Sequence, residues 1–159
     1  MLRSIPPVLT PDLLWAIAAM GHGDRLALVN ANYPAYSHHQ RVIALPGVSL
    51  LDAAAAILHL MPVDDVGDAP VLRMVPDGQT NKAPEIHLGM QRTLDAAEDR
   101  RVPMHALERT PFFAAARDAF VAVHCIDNRP FGCFLITKGV IRMQPHNTVA
   151  PLNTKGHPT

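Results

Sequence analysis

The stretch Thr10–Pro34, TPDLLWAIAAMGHGDRLALVNANYP, decides the fold class. Its first half reads as a helix over about residues 11–20. Thr10 can cap the open amides of the first turn. Pro11 suits the first helical position, where its missing N–H is no loss, and Gly21 suits the stop. Leu13, Ile17 and Met20 recur at helical spacing and make one apolar face. After the polar turn Gly21-His22-Gly23-Asp24 the pattern changes. Arg25–Val29 is a short apolar run of strand type that ends in the polar loop Asn30-Ala31-Asn32-Tyr33-Pro34. A capped helix feeding a buried strand through a tight turn is the unit of a layered α/β protein.

The rest of the chain continues the alternation. Further helices are expected over about 50–60, where Ser49 and Asp52 resemble a capping box, over about 85–100, and from Thr110-Pro111 onward. Their expected inward residues are Leu51, Ala54, Ala55 and Leu58; then Ile86, Met90, Leu94 and Ala97; then Phe113, Ala116 and Phe120. Strands are expected over 41–45, 71–75, 120–126 and 134–136, with a weaker one over 104–107. Arg100-Arg101 reads as a charge pair at a helix C-terminus, and Lys138-Gly139 as a turn. The fold expected is a single layered α/β/α domain over 1–143, with helices flanking a central mixed sheet. A tail rich in Pro, Asn, Thr and Gly follows over 144–159.

Composition narrows the function classes. The chain has 159 residues, 48% hydrophobic and 18% charged, against a globular norm of about 25% charged. Such a chain hides much of its surface, in a core or in subunit contacts. Fourteen basic and fourteen acidic residues balance. With no basic cluster, nucleic acid is not an expected partner. No run approaches the roughly 20 apolar residues of a membrane span, so no membrane partner is expected. The apolar segment after Arg3 is broken by Pro6, Pro7, Pro11 and Asp12, which argues against a signal peptide. A cytoplasmic location follows as the expectation. Cys125 and Cys133 match neither a zinc nor a CxxC spacing and read as reduced thiols. The nine histidines are scattered, with no pair at i, i+4 backed by carboxylates or thiols, so no metal site is expected.

His22 taken alone is a histidine beside a helix end, where it could merely compensate the dipole. Its context adds more. Loops at strand ends are where α/β folds place their sites. Asn30 and Asn32, Glu108-Arg109 and the segment Asp127-Asn128-Arg129-Pro130-Phe131-Gly132 supply amide, carboxylate, guanidinium and aromatic groups. That inventory suits a neutral polyhydroxylated ligand such as a sugar.

Five segments carry a resemblance: LTPDLL, AAMGHGDRLALVNANYPA, LPGVSLLDA, ERTPFFAAARDAF and RPFGCFLITKGV. In this order the chain, over about residues 1–143, resembles the L-fucose mutarotase and D-ribose pyranase family. The fucose branch is nearer, through GHGD and the Arg109 segment. The resemblance implies cofactor-free interconversion of the anomers of a free monosaccharide. A base takes the anomeric hydroxyl proton, an acid protonates the ring oxygen, and the ring reopens and closes on the other face. It also implies a ring-shaped homo-oligomer, a decamer, with each pocket completed by a neighbouring subunit. Carried onto this chain, His22 takes the acid/base role, Asp24 orients it or the loop, and Arg109 bonds sugar hydroxyls. Asn30, Asn32, Phe131 and Cys133 become substrate contacts. The chain departs from the family pattern at Asn30, which stands for an Asp, at Phe131 for a Tyr, at Cys133 for an Asn, and at Phe113-Ala114, which stand for Tyr-Glu. Tyr33, Tyr36, His38 or His39 are candidates to supply the missing hydroxyl or imidazole. The alternative implied by the departures is a monosaccharide-binding or sensing protein of the same fold with weakened catalysis.

Overall fold

In the computed structural model, residues 2–79, 81 and 83–142 are described. The tail expected over 144–159 lies outside them. The elements run α1 (Pro11–Ala19), β1 (Arg25–Val29), α2 (Ala35–His38), β2 (Val42–Leu45), α3 (Leu50–Leu58) and β3 (Val71–Val75). They continue with α4 (Glu85–Glu98), β4 (Met104–Glu108), α5 (Arg109–Ala116), β5 (Val121–Cys125) and β6 (Cys133–Thr137). The six strands form one sheet in the order β2-β5-β1-β6-β3-β4. β1 is parallel to β5, β5 to β2, and β3 to β4, while β6 is antiparallel to both of its neighbours. Five strands therefore point one way, and β6 alone returns between β1 and β3.

This mixed sheet with helices on both faces is the architecture expected from the sequence. Alternate strand residues face opposite layers. Leu26, Leu28, Val121, Val123, Phe134 and Ile136 pack with the apolar faces of α1, α3 and α4. Ala27, Val29, Ala122, Cys133 and Leu135 pack with Tyr33 and Ala35 at the start of α2 and with Phe112 and Ala116 of α5. The first helix is capped as read, with the Thr10 hydroxyl accepting from Leu13 N at 3.3 Å. Ser49 likewise accepts from Asp52 N at 3.1 Å to start α3.

Several local expectations are corrected. On α3 the inward residues include Leu50, Ala53, Ala56 and Ile57, and Ala55 is exposed, because the helix is covered by both the sheet and α4. α4 stops at Glu98, where Asp99 takes a left-handed φ of 49°, so Ala97 lies on the exposed last turn. Thr110-Pro111 do not open α5. It begins at Arg109, directly off the end of β4, with Glu108 at the cap position and no side-chain cap bond. Phe112 and Ala116 are its buried residues, and Phe120 lies beyond it on the approach to β5. Arg100 does not cap its own helix. Its guanidinium donates to the carbonyls of Val63 and Asp64 at 3.2 and 3.1 Å. Lys138 carries out the dipole compensation elsewhere: Nζ donates to Ile17 O and Met20 O at the end of α1. The short α2 was not anticipated from sequence.

Candidate functional site

The topology sorts the candidate residues onto two opposite edges of the sheet. The C-terminal ends of the five parallel strands and the start of β6 share one edge. It carries Asn30 and Asn32 after β1, Arg109 after β4, and Phe131 and Cys133 where β6 begins. The other edge holds the turn into β1 and the end of β6, and there lie His22 and Asp24. Five residues of β1 separate them, a span of roughly 17 Å at 3.3 Å per residue.

On the first edge, Asn30 is the hub. Its Nδ2 donates to Arg129 O at 2.9 Å, and its Oδ1 accepts from Asn32 N at 3.2 Å and from the Cys133 thiol at 3.8 Å. A carboxylate at position 30 could not donate to the Arg129 carbonyl. Asn30→Asp should therefore lower stability by about 1–3 kcal/mol, read by urea denaturation. An unchanged midpoint would show that the 127–131 loop is held by other contacts.

Cys133 is buried beside Tyr33, and burial pushes its thiol up to about 12, so at neutral pH it is a weak neutral donor. Phe131 is half-buried with a φ of 61°, in the left-handed region that bulky residues rarely occupy. Its carbonyl accepts from His87 Nε2 at 2.9 Å, while Arg73 Nη1 lies 2.9 Å from His87 Nδ1. A guanidinium only donates, so His87 is a neutral ring with its proton on Nε2. Burial and the nearby Arg73 charge keep His87 below the ordinary imidazole range. Asp127 takes both the Arg129 guanidinium and the amide of Leu50 at the start of α3. Arg109 is mostly exposed and pairs with Asp77 across 3.6 Å. One strand, β3, lies between β4 and β6, a lateral distance of two strand spacings or about 10 Å.

Tyr33, buried on the same edge, holds His39 through a 3.0 Å contact between its hydroxyl and Nε2, and burial raises its phenol to about 12. Two of the four candidates for the missing hydroxyl or imidazole, Tyr33 and His39, thus form an internal pair in this chain. Tyr36 is exposed, whereas His39 is buried rather than part of a solvated loop.

On the second edge, Asp24 serves the loop. Its carboxylate accepts from Gly21 N at 2.7 Å. The partner of His22 is Asp64, whose Oδ1 lies 3.1 Å from Nε2. Nothing in the sequence ties PVDDVGD to GHGD, since the two residues stand 42 positions apart. The roles of Arg73 and His87 are equally invisible in the sequence, because each depends on which loops the sheet order brings together, and Asp127, read there as a ligand group, holds Leu50 N and Arg129 instead. Among the described residues, no three His, Cys, Asp or Glu side chains converge to hold a metal, and no helix is long and apolar enough to cross a membrane.

The RbsD / FucU transport protein family matches residues 3–141. The chain belongs to that family. Within the RbsD / FucU family it is 34% identical over 140 residues to an L-fucose mutarotase of Haemophilus influenzae, covering 88% of this chain and 97% of that protein. It is 31% identical over 150 residues to the fucose mutarotase of Homo sapiens, covering 91% and 97%. The fold is similar to that of the fucose mutarotase from Streptococcus pneumoniae solved in complex with L-fucose. The TM-score there is 0.82 at 29% identity, over 89% of this chain and all of that one.

Proposed function

We propose that this protein is a cofactor-free mutarotase that interconverts the anomers of a free monosaccharide, L-fucose or a close relative. Relatives covering nearly the whole chain carry that activity in their names. His22 is the group whose chemistry fits the reaction. An imidazole both gives and takes protons near neutral pH, as removal of the anomeric proton and protonation of the ring oxygen require. Asn30, Asn32, Arg109, Phe131 and Cys133 form the sugar-binding edge.

One observation carries the further reading that the pocket is shared between copies. A monosaccharide is far shorter than the distance from His22 to Asn30 within one chain. The His22 edge of one subunit would meet the Asn30–Arg109 edge of another. Both edges expose apolar side chains beside the candidate groups: Tyr36 and Ile126 on one, and Val66, Val140 and Ile141 on the other. Such surfaces favour association. A closed ring, assembled as a decamer, satisfies this head-to-tail pairing without leaving an open filament. A cytoplasmic location fits an enzyme acting on free sugars.

The test is saturation-exchange NMR between α and β anomers of L-fucose, D-ribose and related sugars, with calorimetry on the same panel. Exchange above the buffer rate for at least one sugar is expected. Binding without exchange would replace the enzyme reading by a sugar-binding or sensing protein that has lost catalysis through Asn30, Phe131 and Cys133.

A further inference from the structure

The geometry points to Asp64 as the residue that fixes the tautomer of His22, leaving Nδ1 as the nitrogen that exchanges a proton with the ligand. This rests on the mutarotase reading for the ligand, but not for the state of the ring.

Asp64 is buried, and its position is over-determined. The backbone around it is pinned on every side: Val63 N donates to Glu98 Oε1 at 2.7 Å, and Asp64 N donates to Thr137 O at 3.0 Å. The carbonyls of Val63 and Asp64 both accept from Arg100. Two glycines make room. A Cβ on Gly139 would stand 2.7 Å from Val63 O, and one on Gly67 would stand 2.9 Å from Asp64 Oδ2. The carboxylate then accepts from Val66 N at 3.2 Å and Gly67 N at 3.0 Å, with Oδ1 facing His22.

The turn bearing His22 is fixed in the same way. Gly23 N donates to Lys138 O, and Lys138 N donates to Asp24 O. Two rigid segments thus hold the imidazole against the carboxylate, while the His22 side chain stays 47% exposed. The hydrogen bonds from His22, Gly67 and Val66 outweigh burial and keep the Asp64 carboxyl below the usual range. It is ionised at neutral pH and can only accept. Nε2 of His22 must therefore carry a proton, and in the neutral ring Nδ1 carries the lone pair. Nδ1 takes a proton from a sugar hydroxyl to give the imidazolium and returns it from the same atom. Asp64 stays ionised throughout as the counter-charge. It is a positioning residue and touches no substrate.

The experiment uses the full chain labelled with 15N at histidine, with His22 assigned by its absence from the H22Q spectrum. Above the titration of the ring, the wild type should show His22 with Nε2 protonated and Nδ1 bare, a result that needs no activity. In Asp64→Asn, an amide that can donate should shift the tautomer population. kcat for anomer exchange should fall by roughly 10- to 100-fold, with KM within twofold and the circular dichroism unchanged. A purely structural Asp64 would leave the tautomer untouched. A wild-type ring protonated on Nδ1, an equal mixture, or D64N turning over within twofold of wild type would overturn the inference. Absence of exchange by the wild type on every sugar would instead sink the mutarotase reading, and the tautomer measurement would still decide the role of Asp64.

Discussion

Replacing His22 by glutamine should slow anomer exchange by roughly 10²- to 10⁴-fold, the usual contribution of one acid/base group. The fold should survive. The side chain is half-exposed, and the turn is held by backbone bonds to Lys138 and by the Asp24 carboxylate on Gly21 N rather than by the imidazole. Glutamine keeps a polar group near Asp64 but cannot cycle a proton. The loss should fall on kcat more than on KM, since the proposed sugar contacts belong to the other edge of the sheet. Saturation-exchange NMR at matched protein concentration measures it. A variant within threefold of wild type would remove His22 from the chemistry. The proposed sharing of the pocket between subunits makes this result separable from a loss at the proposed binding edge. H22Q and an Arg109→Ala chain, each slow alone, should regain measurable exchange when refolded together, because mixed neighbours then offer one intact His22 edge to one intact Arg109 edge. No recovery would mean that each subunit works alone.

What could be read in advance divides along the same line. Thr10 and Pro11 announced α1 because caps act within one turn, and the apolar run of β1 was legible because a strand buried on both faces needs little else. Strand order was not legible. β6 lies between β1 and β3 and runs against both, a consequence of layer packing with no local signature. That order alone puts Cys133 against Asn30 and brings the end of β6 beside the GHGD turn. The partner of His22 was missed for the same reason: Asp24 is near in sequence, but its carboxylate is used by the turn, and Asp64 arrives through the 62–67 segment. The faces of α3 and α5 were misplaced where a second helix or a strand end, rather than periodicity, decides burial. At Asn30, however, the residue type itself was the signal. An amide, where the resemblance implies a carboxylate, fits a loop that needs a donor to Arg129 O as well as acceptors.

That loop depends on Asp127, and Asp127→Ala should cost roughly 3 kcal/mol at pH 7, lowering the melting temperature by about 6–12 °C for a chain of this size. The carboxylate is buried and does two jobs. It takes the Leu50 amide at the open N-terminus of α3, and it takes the Arg129 backbone amide and guanidinium. Alanine leaves the Leu50 amide buried without a partner, whereas asparagine can still accept from it, so Asp127→Asn should lose about half as much. The pH dependence has a definite sign. The bonds from Arg129, opposed by burial, hold the carboxyl down at about 2, below its ordinary value of about 3.9. Its contribution of roughly 2 kcal/mol is complete above that ordinary value and fades as pH falls toward 2. Thermal unfolding of wild type and D127A should therefore differ most at neutral pH, with the gap shrinking to about 1 kcal/mol near pH 2. A gap that stays undiminished in acid would assign the loss to packing instead of charge. Because the Arg129 carbonyl receives the Asn30 amide, loosening this loop should also reach the proposed sugar-binding edge. D127A should raise KM for the sugar while leaving the tautomer of His22, at the far end of β1, as it is in the wild type.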